Sequence, residues 1–265
     1  MTAIDTHAHI DHIENWQQAL DEAAAAGVEA VMAVTVDWAS MQKTLEIQKG
    51  VRRPRIYVAL GIHPGNIKAE EVEETLQFLR AHIREAAAVG EIGLDFWYKW
   101  VRKDDAKKEE QRRVFRRQLE IAQEFELPVI VHARGTWRES FETVRSVGLA
   151  KALFHWYSGP LDVLDDIIKE GYLVSASPSL AYSPPSREAI ARAPIDQTLI
   201  ETDSPVFYRT GEGEGGFEAG PKDVFKTLAA YVQLKNLGED KALEIFNRNA
   251  RRFFSLEEKS TAGSS

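Results

Sequence analysis

Close to its start the chain reads AIDTHAHIDH, three histidines and two aspartates within ten residues. His7 and His9 stand two apart at the end of a stretch that patterns as a β-strand. Side chains two apart on a strand share a face, so both imidazoles can reach one cation. The same residue types recur at the ends of other such stretches: Glu91 in VGEIGLD, His132 in VIVHAR, His155 in LFHW and Asp203 in IETDSP. His63 follows another in GIHPG, and of the seven histidines only His12 and His82 fall elsewhere. The chain has no cysteine, which excludes disulfides and thiolate sites and leaves histidine and carboxylate as metal donors. Four histidines (His7, His9, His132, His155) with Glu91 and Asp203 are too many ligands for one tetrahedral ion. They suit two divalent ions about 3.5–4 Å apart, bridged by a carboxylate and a hydroxide. Such a centre hydrolyses esters of carbon or phosphorus.

Positioning these groups requires a frame in which many strand ends meet. After a first strand near Ala3, apolar β-rich runs lie at 28–35, 55–61, 85–93, 127–133, 151–156, 171–177 and 197–203. Amphipathic helix patterns alternate with them at 15–26, 38–49, 69–84, 107–126, 136–147, 160–169 and 185–192, with two more at 222–234 and 239–252. Eight strands with eight crossovers predict an α/β fold, a (β/α)8 TIM barrel forming a single domain over 1–256 with a flexible tail at 257–265. An open doubly wound sheet would use fewer strands and show a glycine-rich phosphate loop after the first, which is absent. In a barrel the C-terminal strand ends converge on one mouth, the place where barrel enzymes carry their chemistry. The stretch TGEGEGGFEAG at 210–220 reads as a flexible loop with an acidic face (Glu212, Glu214, Glu218).

The 265 residues carry a net charge of −8, which argues against a general duplex-DNA binder but not against a nuclease with a local basic patch. Such a patch runs from Lys99 to Arg117, nine basic residues against four acidic. Its helical part reads also as a solvated face with pairs such as Glu109–Arg113. No basic segment followed by an apolar run opens the chain and no stretch is long enough to span a membrane, so the expectation is a cytoplasmic protein.

Six stretches, DTHAH, LGIHP, VGEIGLDF, PVIVHAR, FHWYSG and IETDSP, run in this order and together resemble the TatD-like metal-dependent hydrolases of the amidohydrolase superfamily. The resemblance extends from Ile4 to the closing NRNARRFF. It implies a TIM barrel in which His7, His9 and Asp203 hold one ion, Glu91 bridges, and His132 and His155 hold the second. It implies Mg2+ or a similar divalent ion (Mn2+ or Zn2+), and DNA as substrate, single-stranded or at 3′ ends, cut as a 3′–5′ exonuclease. It places His63 near the substrate phosphate. The family pattern His-Cys-Phe-Ser-Gly is replaced by HWYSG, so Trp156 and Tyr157 are expected as larger side chains at the rim. The Asn-Glu-Pro that usually follows ETDSP is also missing, from VFYRTGEGEGGFEAGPKDV.

Asp203 is then the expected general base, with Glu91 and His63 beside it in the catalytic group. Arg134 and Ser158 are expected to orient the phosphate, Arg134 through a bidentate contact. Asp95 is expected to support the site from the loop after Glu91. Trp97 and Lys99, within an aromatic and basic loop at 96–103, are expected to stack bases and attract phosphates. The alternative is an ester or amide hydrolase on the same metals, such as a D-aminoacyl-tRNA deacylase or a small-molecule amidohydrolase. A monomer is the expected state, with no membrane partner.

Overall fold

The computed structural model describes residues 2–209 and 215–256. Strands and helices alternate: β1 (Ala3–Ala8), α1 (Trp16–Ala26), β2 (Val28–Val34), α2 (Trp38–Gly50), β3 (Arg55–Leu60), α3 (Val72–His82), β4 (Ala88–Asp95) and α4 (Asp105–Glu124). The second half continues with β5 (Val129–Arg134), α5 (Trp137–Val147), β6 (Ala152–Phe154), α6 (Leu161–Lys169), β7 (Leu173–Ala176), α7 (Pro184–Arg192) and β8 (Thr198–Ile200). A hairpin of β9 (Phe207–Arg209) and β10 (Gly216–Glu218) then precedes α8 (Val224–Lys235) and α9 (Glu239–Phe254). The eight main strands pair in chain order, each neighbour parallel. The ring closes where the chain after β8 meets β1, through a parallel bridge between Ala8 and Ser204, His9 N–H on the Ser204 carbonyl (2.8 Å) and Asp203 N–H on the His7 carbonyl (2.9 Å). This is the (β/α)8 TIM barrel expected from the alternation.

Strands buried on both faces explain why the sequence runs are nearly continuous in apolar residues. Two apolar layers result. The inner one takes a residue from every strand, including Ile4, Met32, Ala59, Ala88, Ile130, Leu153, Leu173 and Leu199, and is stoppered by Phe253, Phe254 and Leu256 at the end of α9. The outer one, with Val31, Val58, Val89, Val131, Phe154 and Val174, packs against the helix faces. Asp37 caps α2 through the Ser40 N–H shortly after β2, and Asp104 caps α4 through the Lys107 N–H after the longer connection 96–103.

Several boundaries differ from the sequence reading. The fourth strand is 88–95 rather than 85–93, because residues 83–85 form a 3-10 turn. The eighth ends at Ile200, so Asp203 stands beyond it, where Asp5 takes over as partner to the Thr202 N–H and hydroxyl (3.0 and 2.6 Å). The 107–126 and 185–192 helices begin at 105 and 184. Part of the loop expected at 210–220 is the strand β10, while 210–214 and the tail 257–265 lie outside the described residues. Glu109 pairs with Arg112 instead of Arg113, since Arg112 is the one turned toward Glu139 of α5. No helix among the described residues is long and apolar enough to cross a membrane.

Candidate active site

Two irregularities in the strands aim the key side chains. In β1, Ile4 belongs to the inner layer, and strict alternation would turn His7 outward. A register shift between Asp5 and Ala8 changes the phase, so that His7 and His9 face the axis and Ala8 joins the outer layer. In β4 a shift between Val89 and Ile92 does the same for Glu91. Gly93, paired with His132 just past that shift, lets β4 lie close against β5. Its φ is +150°, and a Cβ there would sit 1.9 Å from the carbonyl oxygen of His132 on β5. In β5 and β6 alternation is regular, and His132 and His155 continue the inward rows of Ile130 and Leu153.

These side chains meet at the mouth. His7 Nε2, His9 Nε2, Glu91 Oε2 and Asp203 Oδ1 form one group: His7 lies 3.4 Å from His9, from Glu91 and from Asp203, and His9 lies 3.2 Å from Glu91 and 3.4 Å from Asp203. Ligands at 2.0–2.1 Å around a tetrahedral ion would be separated by about 3.3–3.4 Å, so this donor set has the spacing and the nitrogen–oxygen chemistry that a divalent cation needs. The other oxygen of Glu91, Oε1, faces His132 Nδ1 and His155 Nε2 at 2.8 Å each, with His63 Nε2 at 3.7 Å. His132 and His155 are 3.4 Å apart at those same nitrogens. Glu91 thus stands between two histidine groups, one on each oxygen.

The electrostatics follow from burial and partners. Burial works against the charge on Glu91, but His155, His63 and His132 outweigh it and hold the carboxyl well below its usual range. Asp203 is likewise lowered, against burial, by His9, His7 and His155. Burial opposes a proton on His9, yet Asp203 and Glu91 push its pKa up to about 10. His132 and His155 are raised, against burial, by Asp95 with Glu91 and by Glu91 with Glu201 respectively. Concentrated carboxylate charge holds protons on neighbouring imidazoles, and a metal ion is the natural competitor for those positions. His63 is the exception. Burial lowers its pKa to about 3, and its Nδ1 accepts the Gly65 N–H (3.0 Å). Its proton therefore sits on Nε2, which makes His63 a neutral hydrogen-bond donor aimed at the site and a poor metal ligand.

Two buried acids stand behind the histidines, Asp95, which the sequence reading expected as a support, and Glu201, which it did not single out. Glu201, fully buried, places Oε1 3.3 Å from His155 Nδ1 and takes a hydrogen bond from the Ser175 hydroxyl on Oε2 (2.5 Å). Asp95 does the equivalent for His132, 3.0 Å from its Nε2, and accepts from Arg134 Nε at 2.8 Å. Asp95 is the last residue of β4 rather than part of the loop. Buried acids that orient histidine ligands fix the tautomer and raise ligand basicity. The only sequence signal for Glu201 was position, a carboxylate at the end of the apolar run of β8.

The cavity over this cluster has a volume of about 640 Å3 and is walled by Trp97, Tyr98, Trp137, Trp156 and Tyr182, with Arg134, Ser158 and Ser179 among the polar groups. Arg134 lies over the Tyr98 ring at 4.8 Å, and with Nε taken by Asp95 only its terminal nitrogens remain for a ligand. Trp97 is 67% exposed, its indole seated on Gly135, where a Cβ would come within 2.3 Å. Lys99 is exposed and not part of the cavity wall, because residues 99–103 run as turns over the surface. Tyr157 is not at the rim as expected. It is fully buried against Trp137 with its hydroxyl on the Pro160 carbonyl, and only Trp156 reaches the cavity. Much of the basic stretch is also spent elsewhere: Lys107, Lys108, Arg112 and Arg117 pair with Glu110, Asp105, Glu139 and Glu73 on helix surfaces.

The cluster and the fold can be set against known proteins. The chain is 28% identical over 265 residues to a zebrafish protein of the tatdn3 type, covering 95% of this chain and 97% of that one. It is 25% identical over 263 residues to the human deoxyribonuclease TATDN3, covering 95% and 94%. Among solved structures, YjjV of Escherichia coli K12, a TatD homolog, superposes with a TM-score of 0.85 at 26% identity over 96% of this chain and 98% of that one. The model of TatD-related DNases matches residues 4–255, and on that match the chain belongs to the TatD-related DNase family of metal-dependent hydrolases.

Proposed function

We propose that the protein is a phosphodiesterase acting on DNA, a 3′–5′ exonuclease-type deoxyribonuclease working as a monomer with two divalent ions, Mg2+, Mn2+ or Zn2+. The observation that carries the reading is Glu91, whose two oxygens each face a separate histidine group. His7, His9 and Asp203 would hold one ion and His132 and His155 the other, with Glu91 between them. Ions bound there supply the positive charge that lowers the pKa of water and offsets charge developing on phosphate oxygens. The remaining work falls to side chains.

Asp203 stays ionised and accepts the proton of the attacking water. Its φ of +48°, a conformation an aspartate tolerates at small cost, turns it back over the mouth after β8. His63 donates its Nε2–H to a phosphate oxygen, and the terminal nitrogens of Arg134 with the Ser158 hydroxyl take up the others. Trp97 and, at longer reach, Lys99 engage the strand beyond the reacting phosphate. The deoxyribonuclease named in the human relative supports DNA as the substrate.

The test is hydrolysis of 5′-labelled single-stranded DNA by the metal-loaded protein with each of the three ions, with Asp203→Asn as control. Stepwise shortening from the 3′ end that the variant loses is the expected result. A folded, metal-loaded protein that leaves every DNA end intact would overturn the reading and direct the search to acyl esters, charged tRNA first.

A further inference from the structure

Trp156 holds a backbone conformation that large side chains avoid, with φ at +43°. Its neighbours show why the chain must turn there. His155, just before it, is committed to Glu91 and Glu201, and Tyr157, just after it, is locked into the core. The Trp156 N–H is tied to the Ser175 hydroxyl at 3.0 Å, the same hydroxyl that donates to Glu201. Tyr157 N–H is tied to the Ser175 carbonyl at 3.1 Å. A glycine would make this turn without strain. The chain instead carries an indole, braced by the Tyr208 ring 5.4 Å away, as a wall of the cavity that also holds His9, Glu91, His132, His155 and Asp203. Backbone strain held in place by a buried hydrogen-bond network is a mark of function when its side chain faces a site. Here the network is the one that orients His155, so the indole keeps a fixed position relative to the metal-ligand cluster.

We propose that Trp156 determines specificity by stacking on the base of the nucleotide whose phosphate lies at the cluster, so that the enzyme selects base-bearing chains over bare sugar phosphates. This deepens the deoxyribonuclease reading and rests on it. An indole offers a flat apolar face at no cost in new side-chain order, and base–aromatic stacking tolerates any sequence because every base has a π-face. Stacking on the ring face reads the π-face that all bases share and not the hydrogen-bonding edge that tells them apart. The preference is therefore for the presence of a base and not for its identity.

The experiment is calorimetric binding of dTMP and of deoxyribose 5-phosphate to the metal-loaded protein, compared between wild type, Trp156→Ala and Trp156→Phe, with metal content measured on each. Wild type is expected to bind dTMP more tightly than the sugar phosphate by about 5- to 150-fold, the range that stacking on an aromatic side chain gives. Trp156→Ala should bring that ratio close to one, and Trp156→Phe, which keeps a ring on the same backbone, should recover most of it. Equal loss of affinity for both ligands, or a ratio unchanged in Trp156→Ala, would overturn the proposal. If Trp156→Ala loses metal or folds poorly, Trp156→Gly, which accepts the positive φ without strain and also removes the ring, decides by the same ratio. A Trp156-dependent ratio in a protein that cuts no DNA would retain the base site while removing the deoxyribonuclease reading.

Discussion

Glu201→Gln tests whether the buried acids behind the histidines shape the site or only fill it. Glutamine has the same shape, and its carbonyl oxygen can still accept from His155 Nδ1. Its amide would then face the Ser175 hydroxyl, which already accepts the Trp156 N–H at 3.0 Å and would lose its own acceptor at 2.5 Å. The substitution thus removes the charge behind His155 and reverses one hydrogen bond without opening a cavity. Hydrogen bonds to a charged partner are worth about 1.5–3 kcal/mol, and loss of an orienting group behind a ligand lowers metal affinity by about 10- to 100-fold, or about 1.4–2.7 kcal/mol. The two ranges agree, so the expected result is a 10- to 100-fold weaker affinity for the ion that His155 would hold. Competition with a metal indicator measures it, with far-UV circular dichroism confirming the fold. Wild-type affinity for both ions in folded Glu201→Gln would refute the idea that Glu201 prepares His155 as a ligand.

Three further outcomes follow from the same geometry. Gly93→Ala places a methyl group against the His132 carbonyl in a conformation open essentially to glycine alone, and should cost more than about 4 kcal/mol, read as a collapse of the denaturant midpoint or of soluble yield; a shift of a degree or two in Tm would contradict the packing described. Trp97→Ala combined with Lys99→Ala should weaken single-stranded DNA binding by at least tenfold and reduce the log–log salt slope by about 0.7, while an unchanged slope would remove Lys99 from the interface. In the metal-free protein His9 is protonated at neutral pH, since the carboxylates of Asp203 and Glu91 raise its pKa from the ordinary 6.5 to about 10. Its stabilising contribution is therefore complete below 6.5 and lost as pH rises through 10, whereas an ion taking its place must release the proton. Apparent metal affinity should rise with pH between 6 and 9, and titrations in buffers of different ionisation enthalpy should detect proton release; affinity that is flat over that range would count against His9 as a ligand.

The parts of the site that the sequence made legible share one property: their residue types are costly to bury without a purpose and they recur at matched places in a repeating pattern. His132 at the end of VIVHAR and His155 at the end of LFHW follow regular alternation, so counting by twos from the apolar residues locates them on the axis. For His7 and Glu91 the count fails. Ile4 and Ala88 are inward, and alternation alone would point both side chains toward the helices. The two register shifts lie beside contacts between strands distant in sequence, Asp5 with Thr202 at the barrel seam and Gly93 against His132, which counting along one strand cannot reveal.

The same reasoning separates Glu201 from Asp203, two acids in one six-residue motif. Asp203 ends the run and reads as a mouth residue. Glu201 continues the inward row of Leu199, and as a fully buried carboxylate just past the end of β8 it has no water to balance its charge. Its presence there is stable only if histidine and serine already wait for it across β6 and β7, at His155 and Ser175. Ser175 in turn is what holds the strained peptide of Trp156. His155, the acid behind it and the peptide of Trp156 are thus one hydrogen-bonded unit at the ends of three strands. Removing any member should disturb the others beyond the sum of separate losses, and a double-mutant cycle between Glu201→Gln and Ser175→Ala measures that directly. A coupling energy of about 0.5–3 kcal/mol in metal affinity is the expected range for groups sharing such a network, and additive effects would dissolve the unit into independent parts.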